Sequence, residues 1–392
     1  MKRHRTECAL IALFVAGMLL PLARHWAPAR NAVRLGENRR QAEAPRLPTT
    51  LAAARQFPHD FDAYWNDSFG FRDDLIQLHA QSKLAFGVAS MNDVVRGRDG
   101  WLFYTGDHSM EIHRGERPMS PEELVAWQRE LEARADWMAA RGGHYIVVIA
   151  PNKESIYGEM LAEGYEKRGA TRLDQLVLHM SAHSRVKILD LRGALLEEKT
   201  RQQVYTLTDT HWNDHGAYIA YREISRHLAG LYPQMQARPR DSFTVRALPP
   251  WYGDLVQMLG MAGLMDEPRD ELVPHPDYAS SDTPSTVPAS GRRWASMRGS
   301  AEGPRAVVFH DSFFLPPEER GDAARAATAA KSAGQSAFRM VPLLAEYFSS
   351  SVFTWSHEFD PELVQRQDAT LVVQEMVERV LSGPPQGRAP QM

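Results

Sequence analysis

Cysteine is almost absent from this sequence, since Cys8 is the only one among 392 residues. An intrachain disulfide and a cysteine-based zinc site are therefore excluded, and the fold must be held together by its apolar core. An excess of positive charge is also missing, because 45 Lys and Arg are outweighed by 49 Asp and Glu, for a formal net charge of −4. A general nucleic-acid binder carries a basic domain, so we expect no nucleic-acid partner.

Long apolar runs are missing apart from one at the N-terminus. A basic stretch at residues 2–5 precedes an apolar run at residues 8–23. As a helix that run would reach roughly 24 Å, slightly short of a hydrocarbon core of about 30 Å. We interpret residues 1–26 as a signal peptide or a short uncleaved membrane anchor, and we expect the body outside the cytoplasm. The polar segment 27–57, rich in Arg, Ala and Pro, is predicted to be a linker.

Short apolar segments alternate with amphipathic ones over residues 58–385, followed by a tail at 386–392. This alternation predicts an α/β domain with a central, mainly parallel sheet that is covered on both faces. We predict a hairpin at 94–104 with its turn at Asp99-Gly100, strands at 144–150, 186–191, 204–207, 305–309, 352–355 and 369–373, and helices at 61–84, 120–141, 171–183, 213–231, 342–348 and 375–381. Residues 265–303, rich in Pro, Ser and Asp, are predicted to form a surface insertion.

Two polar segments follow predicted strands, and together they hold the residue types of an acyl-transfer site. Asp209 and His211 follow one strand, and Ser312 follows another. Serine is a weak nucleophile that needs a general base, histidine serves as that base near neutral pH, and a carboxylate orients the imidazole. Residues i and i+2 of an extended segment point to the same side, so Asp209 and His211 are expected to face one pocket. The backbone amides after Ser312 are expected to form an oxyanion hole.

Further polar and aromatic residues are candidates for substrate binding. Asn152 and Lys153 follow the strand at 144–150 and are predicted to line the same pocket. Arg96 and Arg98 on the hairpin are candidates for contact with an anionic polymer, against the alternative of a salt bridge at the rim. Trp212 is a candidate for stacking on sugar rings, against the alternative that it belongs to the core.

Two pairs of residues are four positions apart, the spacing that places side chains on one face of a helix. His211 and His215 are four apart, as metal ligands on a helix are, but the glutamate of the His-Glu-x-x-His pattern is missing. We therefore expect no metal site, and no cofactor-binding pattern is visible. Glu375 and Arg379 have the same spacing on the last predicted helix and are interpreted as a surface ion pair.

Five sequence blocks resemble, in order, those of the AlgJ/AlgX family of exported polysaccharide O-acetyltransferases. They are Arg-Gly-Arg-Asp-Gly-Trp-Leu-Phe-Tyr at 96–104, Pro-Asn-Lys-Glu-Ser-Ile-Tyr at 151–157, Asp-Thr-His-Trp at 209–212, Gly-Asp-Leu at 253–255 and His-Asp-Ser-Phe at 310–313. The resemblance covers about residues 57–381, and it is closer to the anchored, AlgJ-like type. The stretch 316–338 departs from the pattern as an addition after the nucleophile block.

The resemblance implies an SGNH-hydrolase-like three-layer α/β fold in which Ser312 is the nucleophile, His211 the base and Asp209 the acid that orients it. It implies transfer of acetyl groups onto hydroxyls of an exopolysaccharide, alginate or alginate-like, without a cofactor. The expected location is the periplasm, with a tether to the inner membrane and a membrane-bound O-acyltransferase as the partner that supplies acetyl. Two other functions stay open: an esterase or deacetylase with the same triad, and a non-catalytic polysaccharide-binding scaffold of a secretion complex.

Overall fold

The chain forms two compact units in a computed structural model that describes residues 2–25, 42–85, 90–282, 294–315 and 339–387. The first unit comprises Met1–Asn92 and Val256–Met265, and the second comprises Asp93–Leu255 and Asp266–Met392. The predicted addition at 316–338 and most of the predicted tail at 386–392 lie outside the described residues. All three residues of the predicted catalytic triad belong to the second unit.

The first unit is largely helical, with helices Lys2–His25, Leu51–Ser68 and Arg72–Ala85 and a short strand, Ser90–Met91. The first helix coincides with the predicted signal or anchor segment. Among the helices in the described ranges, none combines the length and the apolarity that crossing a membrane requires.

Two sequence predictions for the first unit need correction. The helix Leu51–Ser68 begins inside the range predicted as linker, because the Thr50 hydroxyl caps it by accepting a hydrogen bond from Ala53 N at 3.2 Å. The single helix predicted at 61–84 is broken in two, since Phe71 adopts a left-handed φ of 66° between the halves.

A seven-stranded sheet forms the centre of the second unit. Its spatial order is Ile188–Asp190, His144–Ala150, Leu371–Val377, Arg305–His310, Ser350–Trp355, Trp294–Arg298 and Ser281–Asp282. The first five strands run parallel to one another. Trp294–Arg298 pairs antiparallel with Ser350–Trp355, and Ser281–Asp282 pairs antiparallel with Trp294–Arg298. The carboxyl ends of the five parallel strands therefore meet at one edge, which is where ligands bind in sheets of this kind.

Alternate side chains of the central strands enter apolar cores on opposite faces of the sheet. Val148 and Val308 pack in the core that contains the helix Asp214–Ala229. Val147 and Val307 point the other way, into cores that contain residues of the helix Pro121–Ala139. Because both faces are buried, the five parallel strands are mostly apolar along their length, which is why they could be predicted. The predicted three-layer α/β architecture is confirmed.

Local signals in the sequence set several element boundaries. Ser120 Oγ accepts a hydrogen bond from Glu123 N at 3.2 Å, and Glu123 Oε2 accepts one from Ser120 N at 2.8 Å, so the predicted capping box is present. The predicted hairpin is confirmed as strands Val94–Arg96 and Leu102–Tyr104. The remaining helices are Ser109–Arg114, Lys153–Tyr157, Arg172–His183, Arg192–Glu198, Asp254–Met258, Met340–Ala345 and Pro361–Arg366.

Three predictions for the second unit are wrong. The segment 204–207 is no strand, but makes one isolated antiparallel bridge between Tyr205 and Trp212. The helix predicted at 375–381 is instead the end of the strand Leu371–Val377 and a short 3-10 helix, Glu378–Ser382.

The predicted surface insertion at 265–303 also needs correction, because it contains regular structure. Its strand Glu267–Pro274 pairs with Phe243–Trp251 in a separate two-stranded sheet, and most of its residues alternate between buried and exposed positions. Its strand Trp294–Arg298 joins the central sheet beside Ser350–Trp355. Residues 283–293 of the segment lie outside the described ranges.

Candidate active site

Ser312 lies where the strand Arg305–His310 ends and a short 3-10 helix, Ser312–Phe314, begins. Asp311 precedes it in an extended conformation and caps this turn, because its Oδ1 accepts a hydrogen bond from Phe313 N at 2.9 Å. The Ser312 side chain is half-buried at the carboxyl edge of the sheet. It thus has the position predicted for a nucleophile: held by a turn, yet open to a substrate.

The structure brings the three predicted catalytic residues together. His211 Nε2 lies 2.8 Å from Ser312 Oγ, and His211 Nδ1 lies 2.6 Å from Asp209 Oδ1. The imidazole and the carboxylate are both buried, with 5% and 3% of their surfaces exposed. In the tautomer that satisfies both bonds, Nδ1–H donates to Asp209 and Nε2 accepts from the Ser312 hydroxyl. That is the hydrogen-bonded chain of a serine nucleophile with its general base.

The Asp209 carboxylate is fixed by backbone donors, of which His211 N contacts Oδ1 at 2.9 Å and Asp254 N contacts Oδ2 at 3.1 Å. Asp254 in turn accepts hydrogen bonds from Thr210 N at 2.8 Å and Thr210 Oγ1 at 2.6 Å. Gly253 permits this approach, since a Cβ atom there would overlap Asp209. Burial, followed by the charge of Asp209, raises the pKa of the Asp254 carboxyl.

Lys153, predicted to contact substrate, instead supports the loop that carries Asp209. Its Nζ donates hydrogen bonds to the carbonyls of Leu102 at 2.7 Å, Leu207 at 2.8 Å and Asp209 at 3.0 Å, and the residue is only 3% exposed. Burial lowers the pKa of Lys153 to about 8. The prediction of a substrate contact is therefore wrong, because three backbone acceptors occupy the ammonium group.

Glu267 is a further support of this loop that was not predicted from the sequence. Its Oε2 accepts a hydrogen bond from Leu207 N at 2.7 Å, and its Oε1 accepts from Thr208 N at 2.8 Å and from the Thr208 hydroxyl. Glu267 lies in the segment taken for a surface insertion, yet it is buried. Its partners lie about sixty residues away along the chain, so no local pattern indicates the contact.

A second set of buried acids lies behind the nucleophile turn. Glu375 Oε2 accepts a hydrogen bond from Asp311 N at 3.0 Å, while Asp311 Oδ2 accepts from Val377 N at 2.8 Å and faces His357 Nε2 at 3.0 Å. Burial opposes ionisation of Asp311, but the hydrogen bond and the charge of His357 outweigh it and lower its pKa to about 2. Burial and the neighbouring Asp311 raise the pKa of Glu375 well above its usual range. The turn is thus tied to the neighbouring strand.

The oxyanion hole expected from the amides after Ser312 needs correction. Phe313 N donates to Asp311 Oδ1, Phe314 N to the Asp311 carbonyl at 3.4 Å and Leu315 N to the Ser312 carbonyl at 3.2 Å, so these amides have partners within the turn. The Ser312 N–H, in contrast, has no acceptor among the described residues. It is the backbone donor of this turn that can face a developing oxyanion.

Trp212 belongs to the core, so the prediction that it stacks on sugar is wrong. It is 1% exposed, its Nε1 donates to the Phe313 carbonyl at 2.9 Å, and its ring meets the Phe313 ring edge-on at 4.9 Å. This hydrogen bond joins the loop of the base to the turn of the nucleophile.

The other predicted binding residues have different positions. Asn152 is buried at 4% exposure and lines a small cavity together with Thr210 and Arg379, while its backbone N donates to Glu378 Oε2 at 3.0 Å. Arg96 and Arg98 are exposed on the hairpin, and their role in substrate binding stays a prediction.

Glu375 and Arg379 do not form the surface ion pair that their spacing suggests. Glu375 is buried in the strand Leu371–Val377, and Arg379 follows that strand, half-buried. The Arg379 guanidinium carbon lies 5.7 Å from the Tyr104 ring centroid and 5.8 Å from that of Phe313. The apolar run around Glu375, Leu371 to Val377, is the signal that favours a buried strand over a helix.

Across the described ranges, one group of side chains has metal-ligand geometry: Asp209, His211 and Asp254, with ligand atoms within 4.8 Å of one another. His215, the partner considered from the sequence, is not part of it. The 2.6 Å between His211 Nδ1 and Asp209 Oδ1 is a hydrogen-bond length and leaves no room for a cation between them. The residues therefore fit a hydrogen-bonded triad better than a metal centre.

Several solved structures are similar to this chain. The O-acetyltransferase domain of Pseudomonas putida AlgJ matches with a TM-score of 0.47 at 19% identity, covering 74% of this chain and 92% of that one. Bacillus cereus PatB1 with a sulfonyl adduct matches with a TM-score of 0.49 at 14% identity, covering 74% of this chain and 97% of that one.

Sequence relatives carry related names. A protein named probable alginate O-acetylase AlgJ from Pseudomonas putida is 27% identical over 219 residues, which are 55% of this chain and 53% of the relative. One of the same name from Pseudomonas aeruginosa is 26% identical over 287 residues, 70% of this chain and 68% of the relative. This chain thus spans about half the length of the first relative.

A family profile covers more than half of the chain. It is described as the SGNH hydrolase-like domain of the acetyltransferase AlgX and matches residues 94–308, a range that contains Asp209 and His211 and ends just before Ser312. The architecture agrees with it, since the central sheet is mixed but mostly parallel. The chain belongs to this family of SGNH hydrolase-like domains.

Proposed function

We propose that the protein is an exported O-acetyltransferase that moves acetyl groups onto hydroxyls of an exopolysaccharide, alginate or alginate-like, through an acetyl ester of Ser312. The observation that carries the proposal is the chain of hydrogen bonds from Asp209 through His211 to Ser312, in a chain of this family. The names of the relatives, alginate O-acetylase, support the choice of polymer.

In the first half of the reaction, Ser312 Oγ attacks the carbonyl carbon of a bound acetyl donor while His211 Nε2 takes the hydroxyl proton across 2.8 Å. Asp209 stabilises the imidazolium that forms and keeps its ring oriented. The oxyanion of the tetrahedral intermediate accepts a hydrogen bond from the Ser312 N–H. When the intermediate collapses, the donor's leaving group departs with the proton from His211, and the acetyl group remains on Ser312.

In the second half, a sugar hydroxyl attacks the acetyl carbonyl and His211 takes its proton. The second intermediate collapses to the sugar acetate, and Ser312 Oγ leaves and recovers its proton from His211. Water in place of the sugar would give acetate, which is the reaction of an esterase. Transfer therefore depends on a sugar reaching the acetyl ester before water does.

The location and the donor are part of the proposal. The basic and apolar residues at the N-terminus support export to the periplasm, whether they are removed as a signal peptide or kept as a short inner-membrane tether. Acetyl-CoA is not available there, so we propose a membrane-bound O-acyltransferase as the partner that supplies acetyl. Arg96 and Arg98, exposed on their hairpin, are proposed contacts for the polymer.

A competition assay tests the function. The full chain is given an activated acetyl ester and a panel of oligosaccharides, and acetate and acetylated sugar are both quantified by mass spectrometry. We expect wild type to acetylate uronate oligosaccharides and Ser312→Ala to lose the activity. If wild type releases only acetate, the protein is an esterase. If Ser312→Ala acetylates sugars as well as wild type does, Ser312 is not the nucleophile. If wild type releases neither acetate nor acetylated sugar above the rate without protein, the scaffold interpretation replaces this one.

A further inference from the structure

Arg379 is a cation at the edge of the active site that the reaction described above does not use. It follows the strand Leu371–Val377, which lies beside the strand that leads to Ser312. With Tyr104, Asn152, Glu154 and Thr210 it lines a small cavity. Thr210 Oγ1 lies 3.0 Å from His211 Nδ1, so the cavity adjoins the catalytic base.

Two aromatic rings lie close to the guanidinium group of Arg379. Its carbon lies 5.7 Å from the Tyr104 ring centroid and 5.8 Å from the Phe313 ring centroid, within the range of a cation–π interaction. Such contacts attract the charge but satisfy none of the five N–H donors of an arginine. In the described part of the chain, no carboxylate pairs with Arg379 and no acceptor receives a hydrogen bond from it.

Nearby acids do not neutralise this cation. The carboxyl groups of Asp311, Glu154 and Glu375 all feel its charge, but none forms an ion pair with it. Asp311 already accepts hydrogen bonds from Phe313 N and Val377 N and faces His357. Burial raises the pKa of Glu154 to about 7 and that of Glu375 well above its usual range, so both hold protons at mildly acidic pH. The half-buried guanidinium of Arg379 can therefore attract an anion from the solvent.

We infer that Arg379 forms an anion subsite for the carboxylate of the acceptor sugar, held by a charge-assisted hydrogen bond. The inference rests on the proposed function, because it assigns the carboxylate to the sugar whose hydroxyl reaches Ser312. Arginine suits this task, since its planar fork matches a carboxylate and its weak hydration lowers the cost of contact beside aromatic rings. Arg379 would thus select uronates over neutral sugars.

Direct binding tests the subsite without relying on catalysis. An oligouronate and its carboxyl-reduced counterpart, which differ only in the charged group, are titrated calorimetrically into the full chain without an acetyl donor. We expect wild type to bind the oligouronate about ten- to a hundredfold more tightly, the range of one charge-assisted hydrogen bond. Arg379→Gln should lose that preference, and Arg379→Lys, which keeps the charge without the fork, should retain part of it.

Arg366→Gln is the matched control, because it removes the same charge from an exposed helix residue whose ion-pair partner is Glu362. It should bind both ligands as wild type does. The inference is overturned if wild type shows no preference, or if Arg379→Gln, folded by thermal melt, keeps it. Should Arg379→Gln not fold, an undiminished preference in Arg379→Lys overturns it. A preference that depends on Arg379 in a protein that never acetylates sugar would leave the subsite standing and remove the proposed function.

Discussion

His211 makes two short hydrogen bonds, to Asp209 Oδ1 at 2.6 Å and to Ser312 Oγ at 2.8 Å. Asp209→Asn would present an amide to Nδ1 and favour the tautomer in which Nε2 carries the proton and cannot act as base. We expect kcat for hydrolysis of an activated acetyl ester to fall by about 10³–10⁴-fold near neutral pH, by analogy with the triads of serine proteases. Steady-state kinetics measure it.

Asp254→Asn is the comparison for this prediction. Asp254 lies 3.7 Å from His211 Nδ1 and contacts the triad through Thr210 and the Asp209 carboxylate. Its loss should therefore cost far less than the loss of Asp209, about tenfold for one misplaced hydrogen-bond partner. Equal losses in the two variants would contradict the assignment of Asp209 as the acid that orients the base.

Glu154 is a buried carboxyl whose pKa burial raises from an ordinary 4.5 to about 7. The folded chain therefore binds this proton more tightly than the unfolded chain does, and the free energy of unfolding falls as pH rises from about 4.5 through 7. Glu154→Gln removes this fall in the free energy of unfolding, because the amide does not titrate. We expect the variant to gain up to about 3 kcal/mol relative to wild type between pH 5 and pH 8, measured by urea denaturation.

Glu163→Gln is the matched control, because it makes the same chemical change at an exposed residue. That variant should follow wild type at both pH values. If the stability difference between Glu154→Gln and wild type is the same at pH 5 and pH 8, the Glu154 carboxyl is not protonated in the folded state near neutral pH.

Single residues differ in how far the sequence could reveal them. The arrangement of Asp209, His211 and Ser312 was predicted because they follow predicted strands and because their sequence blocks resemble those of the AlgJ/AlgX family. Lys153 and Trp212 were noticed but misassigned, since the sequence shows their type and not their burial. Glu267 was missed because its partners lie far along the chain, and Arg379 because its spacing from Glu375 imitates a helical pair.

Among the elements, the loop 208–212 is closely packed by a glycine. Gly253 lies against it so closely that a Cβ atom would overlap Asp209, whereas a Cβ at Gly193, in the helix Arg192–Glu198, would meet nothing within 4 Å. We expect Gly253→Ala to displace Asp209 and lower kcat by about 10²-fold or more, since small shifts of catalytic groups have large effects. The same ester assay measures this loss.

Gly193→Ala is the control for the same chemical change. It should leave kcat unchanged and raise the free energy of unfolding by about 0.5–1 kcal/mol, the usual gain from alanine inside a helix. A Gly253→Ala variant with wild-type activity would mean that the loop tolerates movement and that the Asp254 contacts do not position the triad.

The elements show why some boundaries were predictable. The helix Pro121–Ala139 carries its own start signal in Ser120 and Glu123, and the strand His144–Ala150 is apolar throughout, so both were predicted closely. The strand Leu371–Val377 contains polar residues, Gln374 and Glu375, whose partners come from distant elements. Its end was therefore mistaken for a helix.

For the whole molecule, the proposed location outside the cytoplasm depends on the N-terminal residues. We expect residues 1–57 to export a reporter enzyme that is active only outside the cytoplasm, because the segment has a basic start and an apolar run. Leu13→Arg places a charge in that run and should abolish export. Reporter activity that is equal in both fusions, or absent in both, would contradict the proposed location. The mass of the exported reporter shows whether residues 1–26 are removed.

Acyl transfer through Ser312 requires an acetyl ester on that residue, and trapping the acetyl-enzyme detects this ester. The protein is mixed with an activated acetyl ester, quenched in acid within seconds and digested for mass spectrometry. We expect one acetyl group on the peptide that contains Ser312, its disappearance on addition of an oligouronate, and a matching gain of acetyl on the sugar. Sugar acetylation that occurs without acetyl-Ser312, or that is undiminished in Ser312→Ala, would show that the acetyl group does not pass through Ser312.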